Sequence, residues 1–201
     1  MSNTQDLKRV LDRKNSILQG DAERIAKQRA QGKLVARERV AKLLDQGSFV
    51  ETDALVSREG DYAGVVTGYG TVQDRPVYLF AQDFTVHGGA MGVKQAAKIL
   101  KVLELAQKTG APVIALCDSA GVRLDEGAEA MNAYAQVYAK MTKLSGVCPM
   151  IALVMGPCVG GAALISQLCD VSIMAENVGR LMVYGPQVMS AIAGKAYSEE
   201  D

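Results

Sequence analysis

Apolar runs without charge stand at residues 76–81, 113–117 and 150–155, each short enough to be a buried strand. Between them the period changes. Ala96, Ile99, Leu100, Leu103 and Ala106 recur at helical spacing, which predicts a helix over residues 94–109, stopped at Gly110 before Pro112. Met131, Tyr134, Val137, Tyr138, Met141 and Leu144 mark a second helix. A strand at 64–69 pairs with the run at 76–81 through a turn within 70–75. After Met155, Gly156-Pro157 breaks the strand, a small-residue run over 160–168 opens a helix, and 171–175 is one more strand. Ahead of all this, Leu7, Val10, Leu11, Ile17, Leu18 and Ile25 are sparse but helically spaced, so residues 6–30 read as an amphipathic, highly charged arm; a short helix follows at 36–44.

Strand, helix, strand, helix, strand with short connections predicts stacked βα units under a sheet covered on both faces. Ligands in such sheets sit at the carboxyl ends of strands. The loops after Cys117 and after Met155 would then lie side by side if their strands are neighbours. Each offers main-chain N–H groups, the second at a helix start with Gly160 and Gly161, a place to hold an anionic oxygen. A tight strand-to-helix turn explains the same glycines without any ligand. No phosphate-loop pattern occurs, and Gly68-x-Gly70 lacks the third glycine of a dinucleotide fingerprint.

The 201 residues, 49% of them apolar, suffice for a substantial core and predict one domain with an appendage, or part of something larger. We divide the chain into a helical arm and lead-in, residues 1–48, and a second unit, 49–201. The polar N-terminus is no secretory signal and no run is long enough to span a membrane, which predicts a cytoplasmic protein. Cys117, Cys148, Cys158 and Cys169 lie far apart in apolar settings and read as buried free thiols; with one histidine, His87, no metal site is expected. Net charge is zero, yet residues 1–45 hold 11 Lys/Arg against 6 Asp/Glu. That basic front could face polyphosphate or an acidic partner, a solvated helix face being the commoner explanation; without aromatic interleaving, no nucleic acid is expected.

Four segments in order resemble one family: Gly32-Lys33-Leu34-Val35-Ala36-Arg37-Glu38-Arg39, Asp83-Phe84-Thr85-Val86-His87-Gly88-Gly89, Asp118-Ser119-Ala120-Gly121-Val122-Arg123 and Gly156-Pro157-Cys158-Val159-Gly160-Gly161-Ala162. The resemblance is to the carboxyltransferase (beta-type) subunits of biotin-dependent acyl-CoA carboxylases of the propionyl-CoA and methylmalonyl-CoA type, and to their N-terminal half alone. It implies an α/β, crotonase-like fold of repeated ββα units behind the helical arm. It implies transfer of a carboxyl group between biotin, carried on a partner protein, and the α-carbon of an acyl-CoA, a coenzyme A thioester. By the same analogy the thioester oxygen meets the backbone N–H groups of Val122 and Gly161, with Gly121, Gly160, Ala162, Gly88 and Gly89 around the substrate.

The implied partners are a C-terminal carboxyltransferase half, biotin carboxyl carrier protein and biotin carboxylase, in an oligomer. Ala120 and Val122 stand where the family usually has glycine and alanine, which narrows the pocket. Two rival readings remain open at this level. A crotonase-type hydratase or isomerase would need Asp125, Glu126 or Glu129 as acid or base; an assembly subunit would keep the fold without the activity. Lys33, Arg37 and Arg39 are further candidates for CoA phosphates, and Asp118 and Arg123 are expected to brace their loop through charge-assisted bonds.

Overall fold

The computed structural model describes residues 3–58 and 61–198. Helices α1 (Asn3–Gln19), α2 (Ala22–Ala30) and α3 (Ala36–Leu43) precede strands β1 (Val50–Thr52), β2 (Ser57–Arg58), β3 (Asp61–Tyr62), β4 (Val65–Val72) and β5 (Arg75–Gln82). Then come α4 (Val93–Thr109), β6 (Val113–Ser119), α5 (Gly127–Leu144), β7 (Met150–Val159), α6 (Gly161–Gln167), β8 (Val171–Met174), β9 (Arg180–Met182) and α7 (Pro186–Ala193).

One mixed sheet runs β1-β4-β5-β6-β7-β8, with β9 added at the far end of β7. β1, β4 and β5 are antiparallel, and β5 through β9 pair in parallel. The β4–β5 hairpin turns on Gln73 and Asp74, both at positive φ (51° and 61°), the backbone that a two-residue turn needs to match strand twist. Helices cover both faces of the sheet's centre. Phe80, Ala115 and Cys117 meet Ile99 and Leu103 of α4, Val137 and Met141 of α5 and Ile165 of α6. On the other face Leu79, Ile114 and Leu116 meet Ala36 and Val40 of α3. Every second residue of β6 thus serves a different core, which is why the strand reads as unbroken apolar sequence.

Three expectations change. The segment 6–30 is two helices, because Gly20 takes φ +62° and Asp21 then caps α2, its carboxylate accepting the Arg24 N–H at 3.0 Å. β7 does not stop at Gly156-Pro157 but runs on to Val159, since Pro157, Cys158 and Val159 find a new parallel partner in β9. β8 lies at the sheet edge with all four residues exposed, against the expectation of strands covered on both faces. Among the described residues no helix is long and apolar enough to cross a membrane.

Lys98 is buried in α4; its ammonium donates to the Val65 carbonyl at 2.6 Å and lies 5.2 Å from the Tyr62 ring centroid. Loss of water lowers its pKa to about 8, whereas the unfolded chain keeps the ordinary value of about 10.4. Between those values the unfolded state binds the proton that the folded state has released, so stability rises with pH. We therefore expect wild type to gain stability relative to Lys98→Met across this interval, and the difference to be flat below it. Urea unfolding of both proteins at pH steps through the interval measures this, and a difference that stays constant throughout would contradict it.

Candidate functional site

β6 and β7 are neighbours, so the two loops proposed from sequence do meet. Their register runs from Val113↔Met150 to Cys117↔Val154 and resumes at Ser119↔Cys158, leaving a bulge on β7. Gly156 sits in that bulge. A Cβ there would fall 2.1 Å from Asp118 Oδ1, so the bulge and its glycine make room for a carboxylate. Asp118 is fully buried and takes Lys33 Nζ on Oδ1 at 2.9 Å and Arg39 Nη2 on Oδ2 at 2.7 Å. Arg39 also donates to the Met155 carbonyl at 3.1 Å, and Lys33 lies 4.2 Å over the Phe84 ring. Burial pushes the Asp118 carboxyl above its ordinary range while the two cations pull the other way; at these distances they keep it a carboxylate.

The first loop is held by its backbone. Met91 and Val122 form an isolated parallel bridge in which the Met91 N–H donates to the Gly121 carbonyl at 2.8 Å and the Arg123 N–H to the Met91 carbonyl at 3.0 Å. In such a bridge the flanking residues make the bonds, so the N–H of Val122 itself points away from Met91. Behind it the Ala120 N–H donates to the Gly88 carbonyl at 2.8 Å, and a Cβ on Gly89 would stand 2.2 Å from the Asp118 carbonyl oxygen. Gly88 and Gly89 therefore act here by packing against the loop. Gly121, at φ +107°, comes so close to the second loop that a Cβ would be 3.0 Å from the Val159 carbonyl oxygen.

In the second loop Gly160 turns at φ +58°, its N–H donating to the Met182 carbonyl at 2.8 Å, and α6 starts at Gly161. The N–H groups of Gly161 and Ala162 belong to the first turn and have no intrahelical acceptor. Tyr134 and Tyr138 of α5 serve the two loops together: Tyr134 Oη donates to the Gly121 carbonyl and Tyr138 Oη to the Gly161 carbonyl, both at 2.8 Å. A Cβ on Gly161 would lie 2.6 Å from Tyr138 Oη and 2.8 Å from the Tyr134 ring. Glycine is thus demanded at 161 by the tyrosines; the open side is at Gly160, whose Cβ would meet nothing nearer than 3.7 Å. The helical spacing of the two tyrosines is visible in the sequence, but their purpose is not.

The basic front is arranged differently from the sequence expectation. Lys33 and Arg39 are spent on Asp118, and Arg37 pairs with both oxygens of Glu51 at 2.7 and 2.9 Å, so none of the three faces a phosphate. Arg24 and Lys27 of α2 instead line a cleft of about 290 Å³ with Gln28, Phe84, Thr85, His87 and Gly88. That cleft adjoins the first loop through Gly88. Asp125 pairs with Arg123 at 2.8 Å and buried Glu126 accepts the Val93 N–H at 2.7 Å, while Glu129 faces a separate cavity beside α4. Asp125 and Glu126 thus make structural bonds, and the cavity that Glu129 lines includes no residue of the two loops. Cys117, Cys148 and Cys158 are buried thiols, as expected, and Cys169 is half-buried. Among the described residues no His, Cys, Asp and Glu cluster able to hold a metal was found.

Residues 27–201 match the family model described as the carboxyl transferase domain. The chain is 45% identical to a methylmalonyl-CoA decarboxylase subunit alpha from Veillonella parvula, over 90% of this chain and 38% of the relative. Its fold superposes on transcarboxylase 12S, solved with methylmalonyl-coenzyme A and methylmalonic acid bound, with a TM-score of 0.90 and 36% identity over 100% of this chain and 41% of that one. A Pseudomonas malonate decarboxylase hetero-dimer gives a TM-score of 0.73 and 32% identity, covering 82% of this chain and 71% of its counterpart. The chain spans about two fifths of the length of the decarboxylase and transcarboxylase chains it matches.

Removing the Asp118 carboxylate would leave Lys33 and Arg39 buried without their counter-charge. Asp118→Ala should cost about 3–5 kcal/mol, read as a lower denaturant midpoint with an unchanged slope. A loss below about 1 kcal/mol, the range of exposed pairs, would show that the cations reach water when the partner is gone.

Proposed function

The chain belongs to the carboxyl transferase domain family, and from that premise we propose that it is the acyl-CoA-binding half of a biotin-dependent carboxyltransferase. The reaction is transfer of a carboxyl group between carboxybiotin and the α-carbon of a short acyl-CoA. The observation that carries this reading is the contact of the two loops at the ends of β6 and β7, with the Val122 N–H turned out of its bridge and the Gly161 N–H at a helix start. Breaking or making a bond at the α-carbon puts negative charge on the thioester oxygen. Preplaced amides at that point lower the barrier, each by about 3 kcal/mol. Gly121, Gly160 and Ala162 shape the surface around the oxygen, and Gly88 and Gly89 hold the first loop at its distance. The methylmalonyl-CoA in the names of the similar proteins supports a short, branched or α-carboxylated acyl group.

The residues of this chain fit the thioester and its nucleotide tail. Arg24 and Lys27 bring positive charge to a cleft next to Gly88, suited to phosphate. Biotin, on a carrier protein charged by biotin carboxylase, supplies or takes up the carboxyl group; this chain's part is to bind the thioester and steady its oxygen. The ureido side of the site we assign to a second carboxyltransferase half, within an oligomer. The hetero-dimeric malonate decarboxylase supports that division.

Two outcomes are expected. Propionyl-CoA should bind to the chain in calorimetry with an affinity that falls as salt rises, and Arg24→Ala with Lys27→Ala should weaken binding and flatten the salt dependence; binding indifferent to both would remove this cleft from the site. Carboxyl transfer from carboxybiotin to propionyl-CoA should be absent with the chain alone and appear on adding a second carboxyltransferase half. Turnover by the lone chain would refute the division of the site.

A further inference from the structure

We propose that Tyr134 is a positioning residue for the Val122 amide: its hydroxyl, bonded to the Gly121 carbonyl, fixes and polarises the peptide group whose N–H meets the thioester oxygen. The proposal rests on Val122 as a donor in the oxyanion hole. The carbonyl of residue 121 and the N–H of residue 122 are two ends of one planar, conjugated group, so whatever holds the oxygen also aims the hydrogen. That oxygen takes two short bonds, from Tyr134 Oη and from the Met91 N–H, both at 2.8 Å. Donors on a carbonyl draw electron density from the nitrogen and make the N–H a stronger donor on its far side.

The need for such a clamp follows from Gly121. At φ +107° with no side chain it has no steric preference that would keep its peptide group from turning. Its own N–H is held as well, donating to Ser119 Oγ at 3.1 Å. Tyr134 is 3% exposed, in the middle of α5, and its ring lies against Gly161. The same side chain therefore spaces the second loop while it clamps the first. Burial raises the phenol's pKa above the ordinary value, so the hydroxyl keeps its proton and remains a donor. Tyr138, by contrast, binds the Gly161 carbonyl, the far end of the Gly161–Ala162 peptide, and so acts on the Ala162 N–H.

The test reads the substrate's carbonyl. Propionyl-CoA labelled with carbon-13 at the thioester should show its C=O infrared band shifted to lower frequency on binding to the wild-type protein. Tyr134→Phe should lose a measurable part of that shift, the part that the Val122 amide owes to the clamp, while the unfolding midpoint and the affinity for propionyl-CoA stay near wild type. Difluorotyrosine placed at position 134 keeps the hydroxyl but makes it a stronger donor, and it should enlarge the shift. In a complete enzyme the Phe variant should lose about tenfold or more in kcat with KM little changed, a part of what deletion of a whole donor costs.

A Phe variant with the full wild-type shift overturns the proposal. So does a difluorotyrosine protein with an unaltered band, and this second arm decides the matter if the Phe variant fails to fold. If wild type binds propionyl-CoA with no shift at all, the Val122 assignment itself is wrong and the present proposal falls with it. That outcome is distinguishable from a wild-type shift that ignores Tyr134.

Discussion

The buried carboxylate of Asp118 holds this molecule's working end together. It lies at the carboxyl end of β6, three residues before Gly121, and its two cations come from the segment between α2 and β1. Such a cluster adds little net stability over an apolar one, because three charges are taken out of water; losing one member is what costs. Its effect is therefore one of position. The lead-in cannot leave, β7 must bulge at Gly156, and Arg39 reaches on to the Met155 carbonyl. A second buried chain of polar groups continues from the same residue: the Asp118 N–H donates to Gln82 Oε1, Gln82 Nε2 to Gln95 Oε1, and Gln95 Nε2 to the Gly64 carbonyl. Both loops thus stand on a floor whose hydrogen bonds allow little choice of register.

On that floor the distances between backbones are short, and glycine makes them possible. A Cβ would collide at Gly89 with the Asp118 carbonyl and at Gly156 with its carboxylate. Chain segments packed this closely leave no room for side chains between the loops, so what the loops present is amide. Asp125 and Glu126 are tied up in structural bonds and Glu129 lines a separate cavity, and this favours chemistry in which the protein supplies directed N–H groups over one in which it supplies a proton.

Much of this is legible in the sequence. The strands of the sheet's centre show as charge-free runs because each face has its own core, and the helix stop at Gly110 shows because that residue adopts the left-handed cap. Gly156-Pro157 misleads for a physical reason: the pair ends regular pairing with β6, but β9, more than twenty residues later, supplies a new partner, a contact that no local pattern encodes. The basic lead-in misleads similarly. Lys33, Arg37 and Arg39 look like a solvated or phosphate-facing set until long-range packing brings Asp118 and Glu51 against them. Tyr134 and Tyr138 read correctly as core positions of a helix, yet a period shows only that a residue points inward. It does not show which carbonyl the hydroxyl will find.

The two amides proposed to meet the thioester oxygen end up held in different ways. The peptide at Val122 is fixed from within, by Met91 and Tyr134, both part of the main core. Gly160 and Gly161 hang partly on the Met182 carbonyl, in a strand of three residues followed by Val183 and by α7, whose Val188 and Ile192 are exposed. Short strands owe their stability to what packs on them, so this side of the site opens at lower cost than the other. Edge strand β8 adds exposed apolar side chains, with Val171, Ile173 and Met174 each about half exposed. A companion half seated there would bury that surface and brace the Met182 carbonyl, and through it Gly160. In that arrangement the contact proposed to complete the site would also set the geometry of the second proposed amide, linking assembly to the strength of the proposed oxyanion hole.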